Sequence, residues 1–438
     1  MPSVYGSDTV PEMRITKRTA SALLAAVLTA TSAVACGGGS EPAGGTGPLS
    51  LYSDNPTWEK GFVDAGTALQ KITGRGIKPV SVPSTSDYEQ VVRTSITTRK
   101  TNDLVKWWSG YKLQDLASTG LLTDLTDVWN SAEQKGWVDP ALKPNYTFQG
   151  KVYGLPMYQS YWVVFYSKPL FAEHDIQPPT TFAEFEKAAA TLKQNGVTPL
   201  WTGQSDTWTS FIPYQTLVAA QSPDFYAKLT QNQAAWTDPV SQNAMTIWKG
   251  WIDKGWTTPA DVKLADAPAM MKSGKVAMLP VGTWENSNLK LAGMTPDKDY
   301  GAFFMPTVTP GAPRSTFVEG GAWTVPTNAP NREDAVKQLG SWLDPSVQTV
   351  WSTFLADSSA NPDVPSTDPL IKKLQTQVAQ DKPVLLNRFY EAFPSKLVLA
   401  ATTELQGFMV DPGTGPKTLD AIQKTSVTEW AAWKKQAG

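Results

Sequence analysis

Leu49-Ser50-Leu51-Tyr52 has the pattern of a short strand, and the apolar residues after it, Trp58, Phe62, Ala65, Leu69 and Ile72, recur at helical spacing. Strand leads to helix. Ile77, Val80 and Val82 then mark a second strand, and Ser86-x-x-Glu89 reads as a capping box opening a helix with Tyr88, Val92 and Ile96 on one side. The order βαβα predicts a parallel sheet covered by helices, with ligands bound beyond the carboxyl ends of the strands. That rule singles out Asp54 and Asn55 after the first strand, and Trp107 and Trp108 after a strand around Leu104-Val105.

Farther along the chain, Tyr161-Trp162-Val163-Val164-Phe165-Tyr166 is too apolar for an edge and predicts a central strand of a second core. Thr181-x-x-Glu184 caps a helix whose buried stripe is Phe182, Phe185, Ala189 and Leu192, and Gly196 ends it. Ala277 to Val281 and Ala322 to Val325 read as further strands, with Trp284 and Glu285 after the first and Glu319-Gly320-Gly321 before the second. At 438 residues the chain exceeds one typical core, and two lobes are the simplest division. A composition of 41% hydrophobic and 18% charged residues is that of a globular protein. No short-period repeat, coiled-coil seam or transmembrane helix is visible, which removes solenoids and permeases.

A net charge of −2 leaves no basic footprint for nucleic acid. Catalytic chemistry is poorly supplied. His174 is the one histidine, so a His-rich zinc site cannot be built and any Ser-His-Asp arrangement would have to use it. Gly274-Lys275 lacks the preceding glycine of a phosphate-binding loop. No catalytic residue, metal or cofactor is expected. The enzyme reading left standing is a glycoside hydrolase or lyase using two carboxylates.

Arg14, Lys17 and Arg18, the apolar run Ala22 to Leu28, and the small residues ending Ala33-Val34-Ala35 read as a signal peptide over residues 1–35. Cys36, the one cysteine, follows that site, so the segment resembles a bacterial lipobox, although Ala33 stands where Leu is usual. A plain signal peptide with an incidental cysteine is the alternative. Residues 36–47 then form a lipidated cysteine with a Gly-rich tether, and no intramolecular disulfide is possible.

Five motifs carry a family resemblance. Gly150-Lys151-Val152-Tyr153-Gly154-Leu155-Pro156 with Val164-Phe165-Tyr166-Ser167-Lys168-Pro169-Leu170-Phe171 resembles the extracellular solute-binding proteins of carbohydrate ABC transporters. Pro179-Thr180-Thr181-Phe182-Ala183-Glu184-Phe185, Met271 to Met278 with Trp284 beyond, and Asn331 to Leu343 match further family motifs in the same order. The resemblance implies a two-lobed, periplasmic-binding-protein-like α/β fold (type II), each lobe a mostly parallel sheet flanked by helices. Residues 48–157 plus 322–358 would make one lobe and 158–321 plus 359–438 the other. The lobes would be joined by crossings near Met157-Tyr158-Gln159, Glu319-Gly320-Gly321 and Asp357-Ser358-Ser359. It also implies a monomeric receptor on the outer face of the cytoplasmic membrane that captures a sugar, expected to be an oligosaccharide, for ABC permease subunits.

A sugar site needs aromatic planes for C–H faces and planar polar groups for paired hydroxyls. Trp107, Trp108 and Trp284 are the stacking candidates, with core packing as the alternative for each. Asp54, Asn55, Gln159, Glu285 and Glu319 are the hydrogen-bonding candidates; helix capping is the alternative for Asp54 or Asn55, and a solvated surface for Glu285. Tyr390 is added because relatives contribute an aromatic from their C-terminal helices. Trp208, Tyr161 and Phe389 are weaker candidates. A peptide, polyamine or anion receptor remains the non-sugar alternative, with anions disfavoured by the 18 Trp and 13 Tyr.

Overall fold

The computed structural model describes residues 47–437; the signal-peptide segment, Cys36 and most of the tether lie outside the described residues. Strand β1 (Leu49–Ser53) pairs in parallel with β2 (Ile77–Ser81) and β3 (Leu104–Trp107). Between β1 and β2 runs the helix Glu59–Thr73, which buries Phe62, Ala65 and Leu69, while Ile72 ends up 46% exposed at its last turn. The next helix, Thr85–Ser95, is capped two residues earlier than the sequence suggests, by Ser84 accepting from the Asp87 amide. Glu89 is thereby released from capping. The helix Pro345–Leu355 packs on Glu59–Thr73, with Phe62 stacked on Trp351 at 4.8 Å, and just before it Trp342 lies against Trp323 at 4.9 Å.

A tight hairpin follows, β4 (Thr147–Phe148) and β5 (Lys151–Val152), turned by Gln149 and Gly150. Both turn residues have positive φ, as a two-residue hairpin matching strand twist requires. The second sheet contains β6 (Ser160–Ser167), β7 (Thr198–Leu200), β8 (Val276–Gly282), β9 (Tyr300–Phe303) and β10 (Ser315–Glu319). Strand β11 (Ala322–Thr324) returns to the first sheet beside β3, and β12 (Val384–Asn387) closes the second beside β10. The capping box Thr181–Glu184 forms as read, opening the helix Phe182–Gln194.

Each of the mostly parallel sheets carries one reversed strand. In the second sheet β6 runs antiparallel to β8, β9 and β10, and in the first β11 runs antiparallel to β3. All the other strands of each sheet point one way. The reversed strands are the two that the chain enters directly after passing from one sheet to the other, so it runs into the sheet from the opposite end. Strand β6 is buried along its full length, as its sequence demands, because it lies centrally.

The crossings lie side by side. Leu155 bridges Trp323, Met157 N–H donates to Gly320 C=O at 2.9 Å, and Gln159 N–H donates to Ser358 C=O at 3.1 Å. The buried Asp357 side chain ties the first and third crossings to the turn after β8, accepting from Ser160 Oγ, from Thr283 Oγ1 at 2.7 Å and from Ser358 N at 2.8 Å. Gly321 takes φ +58°, a left-handed conformation suited to glycine. The helix Gly415–Ala437 also reaches the first sheet's side, setting Trp430 and Trp433 against Tyr111 at 5.4 and 5.3 Å.

Candidate functional site: a cleft at the strand ends

One cavity of about 460 Å³ opens where the carboxyl ends of both sheets meet. Asp54 and Asn55 enter it from the end of β1, Lys106 and Trp108 from β3, and Trp284 and Glu285 from the turn after β8. Glu319 is the last residue of β10, and Arg388 and Tyr390 follow β12. Within each sheet these strands share one direction, which is why their carboxyl ends all reach the cavity.

Two buried ion pairs frame the cavity. Lys106 Nζ lies 2.5 Å from Asp54 Oδ1, and it sits over the rings of Trp58 and Trp108 at 5.6 and 5.2 Å. Arg388 lies 3.0 Å from Glu319 Oε2 and forks onto Glu391, 2.7 Å from Nε to Oε2. The other Glu319 oxygen accepts from the indole N–H groups of Trp162, at 3.0 Å, and Trp284, at 2.5 Å. A guanidinium that satisfies two carboxylates with fixed fork geometry is what a buried acidic pair requires. Burial alone would lower the Arg388 pKa, but Glu319 and Glu391 outweigh it and hold the group above its ordinary value. Burial pushes Glu391 up.

Glu285 differs from these. It is 1% exposed and, among the described residues, its carboxyl receives a single hydrogen bond, from Asn288 at 2.8 Å. Burial without a cation pushes its pKa up to about 8. The solvated-surface alternative is therefore not what the structure has. Asp206 is also raised, by burial first and then by Asp54, with Lys263 acting against both. Three polar atoms of lining residues are buried with no hydrogen-bond partner among the described residues: Asn55 Oδ1, Trp58 Nε1 and Asn288 Oδ1. Asn55 does not cap the turn that follows it, so the capping alternative fails for that side chain.

The aromatic lining residues are Trp58, Trp108, Tyr158, Trp208, Trp284 and Tyr390, with Trp108 to Tyr390 centroids at 5.4 Å and Trp208 to Trp284 at 6.3 Å. The weaker candidate Trp208 thus belongs to the lining. Trp107 does not: it is fully buried among core residues, and its indole N–H donates to Lys112 C=O at 2.9 Å. Adjacent residues at a strand end face opposite sides, and Trp108 took the cavity side. Gln159 lies in the first crossing and outside the lining, its backbone bridging Ser358. Tyr161 is also outside it, with its amide accepted by Thr283 Oγ1 at 3.0 Å, and Phe389 stacks on Phe211 at 5.2 Å in the core. Sequence reading missed Lys106, Tyr158, Asp206, Asn288 and Arg388. Arg388 had a usable signal, since it precedes the candidate Tyr390.

A family model described as bacterial extracellular solute-binding protein matches residues 52–348. The chain belongs to this family. The solute-binding protein is 23% identical over 314 residues to an uncharacterized ABC transporter extracellular-binding protein of Pyrococcus horikoshii, covering 70% of each chain. It is 23% identical over 422 residues to the maltodextrin-binding protein of Bacillus subtilis, covering 93% of this chain and 95% of that one. Among solved structures it resembles the bacterial solute receptor AcbH, described as having an exclusive preference for β-D-galactopyranose. That match has a TM-score of 0.78 at 19% identity and covers 88% of this chain and 99% of the other. The two-lobed type II fold of the solute-binding protein is thus the expected one, and its cavity lies between the two sheets.

Proposed function

We propose that the chain is the receptor of an ABC importer that captures a sugar, an oligosaccharide in preference to a single unit, and delivers it to membrane permease subunits without chemical change. The observation that carries this reading is the lining itself. Trp108, Trp208, Trp284 and Tyr390 offer flat faces for sugar C–H groups, and the ion-paired carboxylates of Asp54 and Glu319 offer fixed acceptors for hydroxyls. Asn55 Oδ1, Asn288 Oδ1 and Trp58 Nε1 have no partner among the described residues, and ligand hydroxyls would supply them. The maltodextrin and galactose named for its relatives agree in class. In this reading residues 48–157 plus 322–358 and 158–321 plus 359–438 are the lobes that close on the ligand. Cys36 carries the lipid that holds the monomer at the outer face of the cytoplasmic membrane.

Thermal unfolding against mono- and oligosaccharides, with product analysis, tests the reading. A ligand at a hundredfold excess over its Kd adds about 2.7 kcal/mol of stability. Stabilisation with the sugar recovered intact is expected. Cleavage products would point to a hydrolase, and response only to peptides or amines would sink the sugar assignment. Release of a Cys36→Ser variant from the membrane fraction is expected, and its retention there would overturn the anchor.

A further inference from the structure

A second cavity, of about 540 Å³, adjoins the first and shares with it Thr85, Asp206, Trp208 and Tyr390. The geometry points to a second carbohydrate subsite: the cavity bounded by the helices Thr85–Ser95, Gly110–Ala117 and Ser395–Val410 holds the uncharged sugar unit that follows the one in the first cavity. This inference rests on the sugar-receptor reading and adds to it where a longer ligand goes and which residues set its length.

Each cavity alone has the volume of a small-molecule site, about 300–1,000 Å³. The divider between them is held in place. Tyr390 donates its hydroxyl to Glu89 Oε1, and Lys112 Nζ lies 4.2 Å from its ring centroid while pairing with Glu89 at 2.8 Å. A ligand must therefore pass over the Trp208 and Tyr390 rings, which suits a chain of linked pyranoses. The two carboxylates peculiar to this cavity are both ion-paired, Glu89 with Lys112 and Asp115 with Arg93 at 2.6 Å. They leave acceptors and donors at fixed places for a neutral polyol. Ser395 Oγ is buried with no partner among the described residues, Gln90 presents an exposed amide, and Leu399, 64% exposed, supplies an apolar patch for a C–H face.

Calorimetric titration of the full soluble chain with graded series tests the inference. The probes are glucose against maltose to maltopentaose, galactose against melibiose, raffinose and stachyose, and N-acetylglucosamine against its β-1,4 oligomers. In the series that binds, affinity should rise by roughly tenfold or more from one unit to the longer members, the equivalent of two ordinary hydrogen bonds. Gln90→Ala combined with Ser395→Ala should remove that gain and leave the single sugar within about twofold of wild type, with thermal unfolding confirming that the variant folds. Equal affinity of wild type for the single unit and its oligomers would overturn the subsite while leaving the receptor reading intact. So would a double variant that weakens both ligands alike. Absence of binding by every sugar would remove the receptor reading and this inference together.

Discussion

Arg388 and Glu319 meet at 3.0 Å with both side chains 4% exposed, joining the segment after β12 to the last residue of the strand that leads into a crossing. The same guanidinium serves Glu391, so one cation holds two buried carboxylates. Arg388→Met would strand both acids. Breaking a buried pair on one side costs about 3–5 kcal/mol. Thermal unfolding should show that loss, whereas Glu319→Gln, which keeps an acceptor for Trp162 and Trp284, should lose less. Equal losses would mean that the charge of the pair is not what the guanidinium satisfies.

Trp107 and Trp108 are neighbours in sequence with opposite duties. Trp107→Ala empties a core site and should cost about 3–5 kcal/mol of stability. Trp208→Ala, at the half-buried cavity wall, should cost little stability but weaken sugar binding by roughly five- to tenfold, about 1–1.4 kcal/mol. Unfolding and titration on the same two variants separate the roles; a Trp208 variant with unchanged affinity would remove that ring from the site.

The contrast marks what a sequence can disclose. The carboxyl-end rule led to the rim where the cavity opens, because strand order and direction follow from hydrophobic pattern and helix placement. Which of two adjacent tryptophans turns inward depends on strand register, set by the pairing of β3 with β11 more than two hundred residues on. Gln159 was misplaced for a similar reason: nearness to a crossing does not say which way its side chain leaves. Lys106, a lone cation in a strand, carries no pattern, and Arg388 carries only its nearness to the candidate Tyr390, so the ion pairs of both were overlooked. Their acid partners, Asp54 and Glu319, are far away in the chain.

Glu285 and Asp357 set a pH dependence. Burial raises Glu285 from an ordinary 4.5 to about 8 and Asp357 from 3.8 to about 7, the latter despite hydrogen bonds from Ser160, Thr283 and Ser358. The folded state therefore holds protons that the unfolded chain releases first. Their contribution to stability is full below about pH 4, declines as pH rises, and is lost by about pH 8. Glu285→Gln should flatten the decline between about pH 4.5 and 8 and raise the melting temperature most at the alkaline end. An unchanged slope in unfolding scans would show that Glu285 is ionised in the fold.

Gly282 stands where a side chain would collide with the site. A Cβ there would lie 2.8 Å from Glu319 Oε1 and against the Trp284 indole. Gly282→Ala should break the Trp284 to Glu319 hydrogen bond, quench or shift the Trp284 fluorescence response to ligand, and reduce affinity by about tenfold. Wild-type affinity in this variant would show that the bond does not orient Trp284.

Strand β11 completes the first sheet late: Thr324 Oγ1 bonds Val105 C=O across 219 residues. A ribosome must therefore finish most of the second sheet before the first can close. Contacts so distant along the chain form slowly, because loop closure precedes any gain from pairing. A nascent chain built this way stays open while it is still being synthesised. The wiring of the sheets thus acts as a clock: the first sheet stays unfinished until β11 has been made.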